Sequence, residues 1–249
     1  MKWIPLCLFL GITLLGHAQP LSGEIVYEEK VNLHLRIPPG DEQMKAMIPN
    51  FRTHQFSLKY YEDVSLYTST ESGETAPPPP PPPGGGGGPR IVMMRPQSAW
   101  YLNQASGERI EQRDFMGRKF LIRDSLPVFS WKLTGRQQEI LGHMCQEAVF
   151  QDSMMSAVAW FCPDIPLPAG PEQFGQLPGM IQALDINQGE RVITAVSLKD
   201  TPLTANSIQP PVEGKEVTRE EFRAMVDAKM KEMQGEMGGG GNVRMIRRP

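Results

Sequence analysis

The sequence predicts a mainly β protein: a single, strongly curved antiparallel sheet, shaped like a half-barrel, followed by a C-terminal amphipathic helix. Two observations predict the sheet. Apolar and polar residues alternate with a period of two in the early part of the chain, and short strand-like runs separated by turn residues fill the remainder. A change to a helical period near the C-terminus predicts the helix.

The first eighteen residues predict a cleavable signal peptide. Lys2 gives a positive start, residues 3–15 form an almost unbroken apolar run, and Gly16 and Ala18 place small residues before a cut at Gln19. A membrane anchor is the alternative, but the apolar run is shorter than the roughly 20 residues that span a bilayer. We therefore expect the rest of the chain to fold outside the cytoplasm.

The predicted domain organisation follows composition. Residues 19–211 should form the antiparallel β-domain, interrupted at 71–89 by a disordered loop rich in proline and glycine. Residues 212–249 should carry the helix, at 218–237, and a flexible tail of glycines and arginines. The stretch 77–89 reads seven prolines, five glycines and a proline, so it cannot pack. It is either a docking site for a partner or a solvated loop.

The strands are read from alternation. Odd positions are apolar over residues 25–37, with Val26 and Glu29 breaking the pattern, and even positions are apolar over residues 56–66, with Glu62 as the exception. One wet face is typical of antiparallel sheets. Residues 41–48 could form one short helix. Further strand-like runs, giving about ten or eleven strands in all, cover residues 90–94, 98–103, 109–115, 119–124, 129–134, 143–150, 157–162, 180–186 and 191–200.

The last apolar segment has a helical period. Thr218 can cap a helix, and Glu221 closes a capping box three residues later. The helix either lies on its own sheet or docks to a partner or a membrane surface. The apolar residues that share one face are Phe222, Met225, Val226, Met230, Met233 and Met237.

Two cysteines, Cys145 and Cys162, remain once the signal peptide is removed. Residues 143–150 and 157–162 flank a polar turn, so they should pair as a hairpin that places the cysteines nearly opposite each other, within one residue of register. Opposed residues on antiparallel strands lie within disulfide range. We predict a disulfide. A redox or metal role is the alternative, although neither residue belongs to a Cys-x-x-Cys motif.

No catalytic, cofactor-binding or metal site is predicted. Only His34, His54 and His143 remain after export, and there is no His-x-x-x-His pair or Gly-x-Ser-x-Gly elbow. Fifteen methionines raise copper(I) binding as an alternative, but methionine also suits cores and amphipathic faces. The net charge of −3 and the dispersed basic residues argue against a nucleic-acid partner. The mature chain has no predicted transmembrane segment.

A series of ordered motifs runs through residues 159–181: Ala159-Trp160-Phe161, Asp164-Ile165-Pro166, Gly170-Pro171, Phe174-Gly175 and Leu177-Pro178-Gly179-Met180-Ile181. This series resembles the signature of the GLPGLI family of exported Bacteroidetes proteins. The chain departs from it in the extra Gln176 and in Met180, which stands for leucine. The resemblance implies an exported protein of unknown activity in the envelope of a Gram-negative bacterium, in the periplasm or at the cell surface.

The resemblance carries no catalytic residues, so we expect the motif to have a structural role. Prolines can stiffen the connection, and glycines can adopt backbone angles that other residues rarely adopt. The residues to which this role is assigned are Trp160, Asp164, Pro166, Gly170, Pro171, Phe174, Leu177, Pro178, Gly179, Met180 and Ile181.

Three functions remain open from the sequence. The first is a non-enzymatic binding or carrier module that holds an apolar ligand or a lipidated partner in the concave face. The second is a structural or interaction protein of the envelope, acting through the proline-rich loop and the helix. The third is a hydrolase assembled across strands. An open apolar groove favours the first, a filled core with an exposed helix face the second, and a polar pocket of acids and histidine the third.

The exported protein should begin at Gln19, because small residues precede that cut. N-terminal sequencing of protein recovered from outside the cytoplasm measures this. An Ala18→Glu variant, in which a charged residue precedes the cut, is the control and should keep residues 1–18. A wild-type start far from Gln19 would contradict the prediction.

Overall fold

A computed structural model describes residues 21–70, 98–199 and 201–237. The signal peptide, the proline- and glycine-rich loop at 71–89, the strand-like run at 90–94 and the glycine and arginine tail lie outside the described residues. Predictions about those segments stay predictions.

The described chain is mainly β, as predicted, and contains twelve strands and two α-helices. Helix α1 is Glu42–Met47, as expected near residues 41–48, and α2 is Arg219–Met237. The strands are β1 Ser22–Asn32, β2 Phe51–Tyr61, β3 Val64–Ser69, β4 Ser98–Asn103, β5 Glu108–Phe115, β6 Arg118–Ser125, β7 Lys132–Ile140, β8 His143–Gln151, β9 Ser156–Cys162, β10 Met180–Ile186, β11 Arg191–Lys199 and β12 Lys215–Val217.

All twelve strands belong to one open sheet, in the order β12-β6-β5-β4-β3-β2-β1-β11-β10-β9-β8-β7. Neighbouring strands are antiparallel except at one edge, where β12 runs parallel to β6. The prediction of a purely antiparallel sheet is wrong at that edge. After β11 the chain crosses the face of the sheet that Leu203 and Ile208 cover. Strand β12 then runs beside β6 in the same direction as β6.

The first predicted strand is too long. Strand β1 ends at Asn32, whose side chain accepts a hydrogen bond from the backbone N–H of His34 at 3.1 Å and starts a 3₁₀ turn over His34–Arg36. Apolar and polar residues continue to alternate beyond Asn32, but they are no longer part of a strand, and Leu35 is 58 % exposed. The side chain of His34 lies with its Nε2 2.9 Å from the carbonyl oxygen of Ile48.

The second apolar run is two strands rather than one. Strands β2 and β3 meet at a tight turn in which Glu62 has a φ of 48°. The polar exception in the alternation therefore marks the turn of a hairpin. The run predicted at 129–134 also differs, because β7 begins at Lys132. Phe129 packs against other aromatic rings instead of entering the sheet.

Side chains on the two faces of the sheet form separate cores, since adjacent residues of a strand point to opposite faces. On the first face, residues of β1–β4 and β8–β11 form the largest cluster together with the connection between β9 and β10, residues 163–179, here called the 163–179 loop. On the second face, Tyr101, Ile110 and Leu121 are covered by Leu203 and Ile208 from the segment that leads to β12.

Helix α2 begins at the predicted capping box. Thr218 Oγ1 accepts the backbone N–H of Glu221 at 3.1 Å, and the Glu221 carboxylate accepts the backbone N–H of Thr218 at 2.8 Å. Phe222 is buried with its ring 5.5 Å from that of Phe120 and 6.2 Å from that of Phe115. The start of the helix is thereby attached to β6.

Replacing Phe222 with alanine should lower the free energy of unfolding by about 3 kcal/mol, because a buried aromatic side chain is lost. Met233→Ala, on the same helix but only partly buried, should cost less than about 1 kcal/mol. Urea denaturation followed by circular dichroism measures both. Equal losses in the two variants would show that Phe222 does not attach the helix.

Candidate functional site

The 163–179 loop is part of the core rather than a surface excursion. Its buried side chains pack on the first face of the sheet and include Ile165, Leu167, Ala169, Phe174 and Leu177. Its backbone is hydrogen-bonded to the strand that follows, with Met180 N–H donating to Ile165 O and Ile181 N–H to Ala169 O, both at 2.9 Å. The sheet face where a groove was expected is therefore occupied by the chain itself.

The glycines of the motif allow backbone segments to approach closely. A Cβ on Gly175 would lie 2.5 Å from the carbonyl oxygen of Pro168, and one on Gly170 would lie 2.8 Å from Cβ of Ile181. At Gly179 the φ of +155° and the carbonyl oxygen of Cys162, 2.4 Å from a would-be Cβ, both require glycine. Contact with neighbouring backbone accounts for these three positions without any chemical role.

The remaining motif residues are not gathered at one place. Pro171, Phe174, Leu177, Met180 and Ile181 are buried with the loop. Pro166 and Pro178 are exposed, and Asp164, also exposed, has its carboxylate 3.6 Å from Nδ1 of His143. Trp160 lies on the second face, with the Arg136 guanidinium 6.0 Å from its ring centroid.

An aromatic cluster covers the far side of the loop. Phe129 stacks on Phe174 with ring centroids 5.1 Å apart and meets Phe150 edge-on at 5.3 Å. Trp131 donates its indole N–H to the carbonyl oxygen of Gly175 at 2.9 Å. These contacts hold residues 129–131 against the loop and out of β7.

The predicted disulfide between Cys145 and Cys162 is confirmed. The two residues stand opposite each other on β8 and β9, with Cα atoms 4.1 Å apart. The bond closes a short loop, for which a stabilisation on the order of 3 kcal/mol is typical. Because Pro163 follows directly, the disulfide also fixes the strand end from which the 163–179 loop departs. A disulfide fits a protein that folds outside the cytoplasm.

Beneath the loop lies a first polar group, the Arg191 cluster: Arg191, Glu29, Glu172, His54 and Tyr67. Arg191 donates to Glu29 at 2.7 Å and to Glu172 at 2.5 Å, and Glu29 stands opposite His54 in the sheet. Burial lowers the Arg191 pKa, but the two carboxylates outweigh that effect and raise it. Burial, together with Glu172 and Glu29, raises the pKa of Tyr67 well above its usual value, so its phenol stays neutral.

A second polar group, the Arg109 cluster, connects β5, β6, α2 and the loop. The buried Arg109 donates to Gln173 at 2.5 Å and to Asp124 at 2.6 Å. Arg219 of the helix binds Asp124 at 3.2 Å and the buried Glu111 at 3.0 Å. Burial and the neighbouring Arg219 lower the Arg109 pKa, although Asp124 opposes this.

Sequence reasoning missed both clusters because their members are far apart in the chain: Glu29 and Arg191 are 162 residues apart. One signal was present. Glu29 interrupts the apolar face of β1, and a buried carboxylate there needs a cationic partner. In the part of the chain that the structure describes, no three His, Cys, Asp or Glu side chains are placed to hold a metal ion. No described helix is long and apolar enough to cross a membrane.

Gly175→Ala should lower the free energy of unfolding by at least about 2 kcal/mol, since the added methyl meets the backbone of Pro168 rather than a side chain that can move. Gly142→Ala is a suitable control because its Cβ would enter open space, and only the positive φ of +82° should cost about 1 kcal/mol. Chemical denaturation measures both. A smaller effect at Gly175 than at Gly142 would contradict the close approach.

Comparison with known proteins finds one family match. A family described as a protein of unknown function (Porph_ging) matches residues 150–183, the segment that contains all of β9, the 163–179 loop and the start of β10. No curated protein matches the chain. The narrower likeness to the GLPGLI family is untested by this match and stays a prediction.

Two crystal structures of PNGF-II share the fold. In the C2 and P21 forms the TM-scores are 0.56 and 0.55, each at 16 % identity, and the alignments cover 85 % and 84 % of this chain. They cover only 34 % of the PNGF-II chain, so this protein spans about a third of that length. At this identity the likeness shows the fold alone: the chain is similar to one part of PNGF-II and, over residues 150–183, to a family of unknown function.

Proposed function

We propose that this chain is an exported, non-enzymatic protein-interaction module of a Gram-negative envelope. The observation that carries the proposal is the filled sheet face: the 163–179 loop already occupies the surface on which an apolar ligand would have to bind. The apolar stripe of α2, by contrast, continues past the residues that pack on β6.

The carrier hypothesis has less support. Leu167, Phe174 and Leu177, which come from the loop, are almost fully buried, so binding a lipid on this face requires the loop to leave it. We also propose that the sheet is strongly curved. One core cluster contains both Trp100 of β4 and Ala148 of β8, strands that lie far apart in the sheet order, and curvature would bring them together.

The hydrolase hypothesis is also weaker, although acids and a histidine do converge in the Arg191 cluster. Glu29 and His54 are buried beneath the loop, so a substrate has no route to them in this conformation. Both carboxylates of the cluster, Glu29 and Glu172, are bound to the Arg191 guanidinium, at 2.7 and 2.5 Å. These features weigh against a catalytic role for the cluster.

Helix α2 offers the better interaction surface. Val226 still packs on the cluster that contains Phe120 of β6, and Met230 and Met233 continue the same stripe beyond it at helical spacing. Methionine adapts to differently shaped partners. The edge strand β7 is a second candidate, with Leu133 60 % exposed. However, residues 134–136 bulge out of register with β8, a feature that hinders strand addition. The helix-in-groove mode of recognition therefore fits this protein better.

Native mass spectrometry of protein purified mildly from its own host tests the proposal. The wild type should retain a protein partner, and Met230→Ser with Met233→Ser should lose it because the apolar stripe is removed. Ala228→Ser with Lys231→Ser, at exposed positions of the same helix, should keep it. Retained lipid in place of protein, or partner retention by the methionine variant, would overturn the proposal.

A further inference from the structure

The tip of the 163–179 loop, residues 171–174, has an unusual conformation for its sequence. A hydrogen bond from the Phe174 N–H to the Pro171 carbonyl oxygen, at 3.1 Å, closes a turn. Within it, Glu172 has a φ of +55°, a region that residues with a side chain such as glutamate rarely adopt. Such conformations are unfavourable and persist where surrounding contacts hold them.

Two consecutive side chains of the tip bind arginines on well-separated strands. The Glu172 carboxylate accepts from Arg191 of β11 at 2.5 Å, and the Gln173 amide oxygen accepts from Arg109 of β5 at 2.5 Å. The tip thus presents one charged and one neutral oxygen to two guanidinium groups. A guanidinium group presents a fork of donors that matches the geometry of a carboxylate.

The same sheet face holds donors that the tip does not satisfy. The Tyr67 hydroxyl, the Ser65 hydroxyl and Nε of Arg109 are buried and have no hydrogen-bond partner among the described residues. Ser65 and Tyr67 alternate on β3, and Ser65 faces Leu102, which in turn faces Arg109, so all three groups belong to the first face. A buried donor without an acceptor costs about 1–3 kcal/mol. The face therefore offers more donors than its own loop uses.

We propose that this face is a binding site for an acidic peptide segment, and that residues 171–174 occupy it as an internal ligand in the free protein. A glutamate or aspartate of the peptide replaces Glu172 on Arg191, and an adjacent amide oxygen replaces Gln173 on Arg109. Further peptide carbonyls reach the hydroxyls of Tyr67 and Ser65. Only the tip has to move, because the residues on either side of it are hydrogen-bonded: Ile181 N–H donates to Ala169 O at 2.9 Å, and Gln176 N–H donates to Pro168 O at 3.0 Å.

This site is separate from the α2 surface, so the two proposals can fail independently. It also explains why a non-glycine residue keeps a positive φ at the tip: its side chain is held by Arg191. An internal ligand lowers the apparent affinity for an external one by the fraction of time the site is open.

The test uses the peptide acetyl-Pro-Glu-Gln-Phe-amide, which has the sequence of the tip. A Glu172→Ala, Gln173→Ala variant should bind it at least about tenfold more tightly than the wild type by isothermal titration calorimetry, since the internal competitor is removed. The control peptide acetyl-Pro-Gln-Gln-Phe-amide should bind about tenfold more weakly, because it lacks the carboxylate that pairs with Arg191.

A Tyr67→Phe substitution separates binding from stability. Among the described residues its hydroxyl has no partner, so the unfolding free energy should not fall. The free peptide is not tethered to the loop, so its carbonyls can reach this hydroxyl, and its affinity for the double variant should drop several-fold when the hydroxyl is removed. A folded double variant that binds neither peptide better than the wild type does would overturn the proposal.

Hydrogen exchange on the wild type tests the opening of the tip directly. The amide of Phe174 should exchange much faster than that of Ile181, because the tip opens locally while the rest of the loop stays packed. Exchange of both amides only through global unfolding would also overturn the proposal, because the internal ligand would then never leave.

Discussion

The close packing of the 163–179 loop onto one face of the sheet is the constraint on which the rest of this structure depends. A twelve-stranded sheet has two apolar faces to cover, and in the described part of the chain no helix contributes to the larger cluster. The loop provides that cover. To do so, its backbone passes close to the carbonyl of Pro168, within the loop, at Gly175 and close to the carbonyl of Cys162, at the end of β9, at Gly179. Glycine at 175 and 179 and the disulfide at the start of the loop all serve this packing.

The polar groups beneath the loop follow from the same constraint. A connection of 17 residues without regular structure has polar atoms that must be satisfied when they are buried. Arg191 and Arg109 bind the side chains of Glu172 and Gln173, respectively. The carboxylates of Glu29 and Asp124 in turn neutralise the charges of these two arginines. Breaking such a buried ion pair leaves an uncompensated charge, so these contacts make the position of the loop specific rather than merely favourable.

Local signals in the sequence predicted much of this fold. The capping box of Thr218, the opposed cysteines and most strand limits depend on residues close together in the chain, and the structure agrees with them. The end of β1 was wrong because Leu33, Leu35 and Ile37 keep the alternation while the side chain of Asn32 turns the chain. The parallel strand β12 was missed because its three residues carry no period that could be read.

The candidate site was the least predictable part, for a related reason. Arg109, Gln173, Glu172 and Arg191 meet only after the sheet has brought β5 and β11 to the loop. In the sequence they look like ordinary polar residues of the protein surface. Glu29 was the one visible anomaly, a carboxylate in an apolar row, and it indicated a buried partner without saying which.

The position of β1 has a consequence for how the chain reaches this state. Strand β1 lies between β2, which follows it closely, and β11, which is made near the end of the chain. During synthesis, which starts at the N-terminus, β1 can pair with β2 early. The other edge of β1 stays unpaired until β11 has been made, when nearly the whole domain is present. Contacts so distant in sequence slow folding and leave strand edges available for wrong pairings meanwhile. The topology therefore sets the period in which this protein is most exposed to wrong strand pairing: it lasts from the synthesis of β1 to the synthesis of β11.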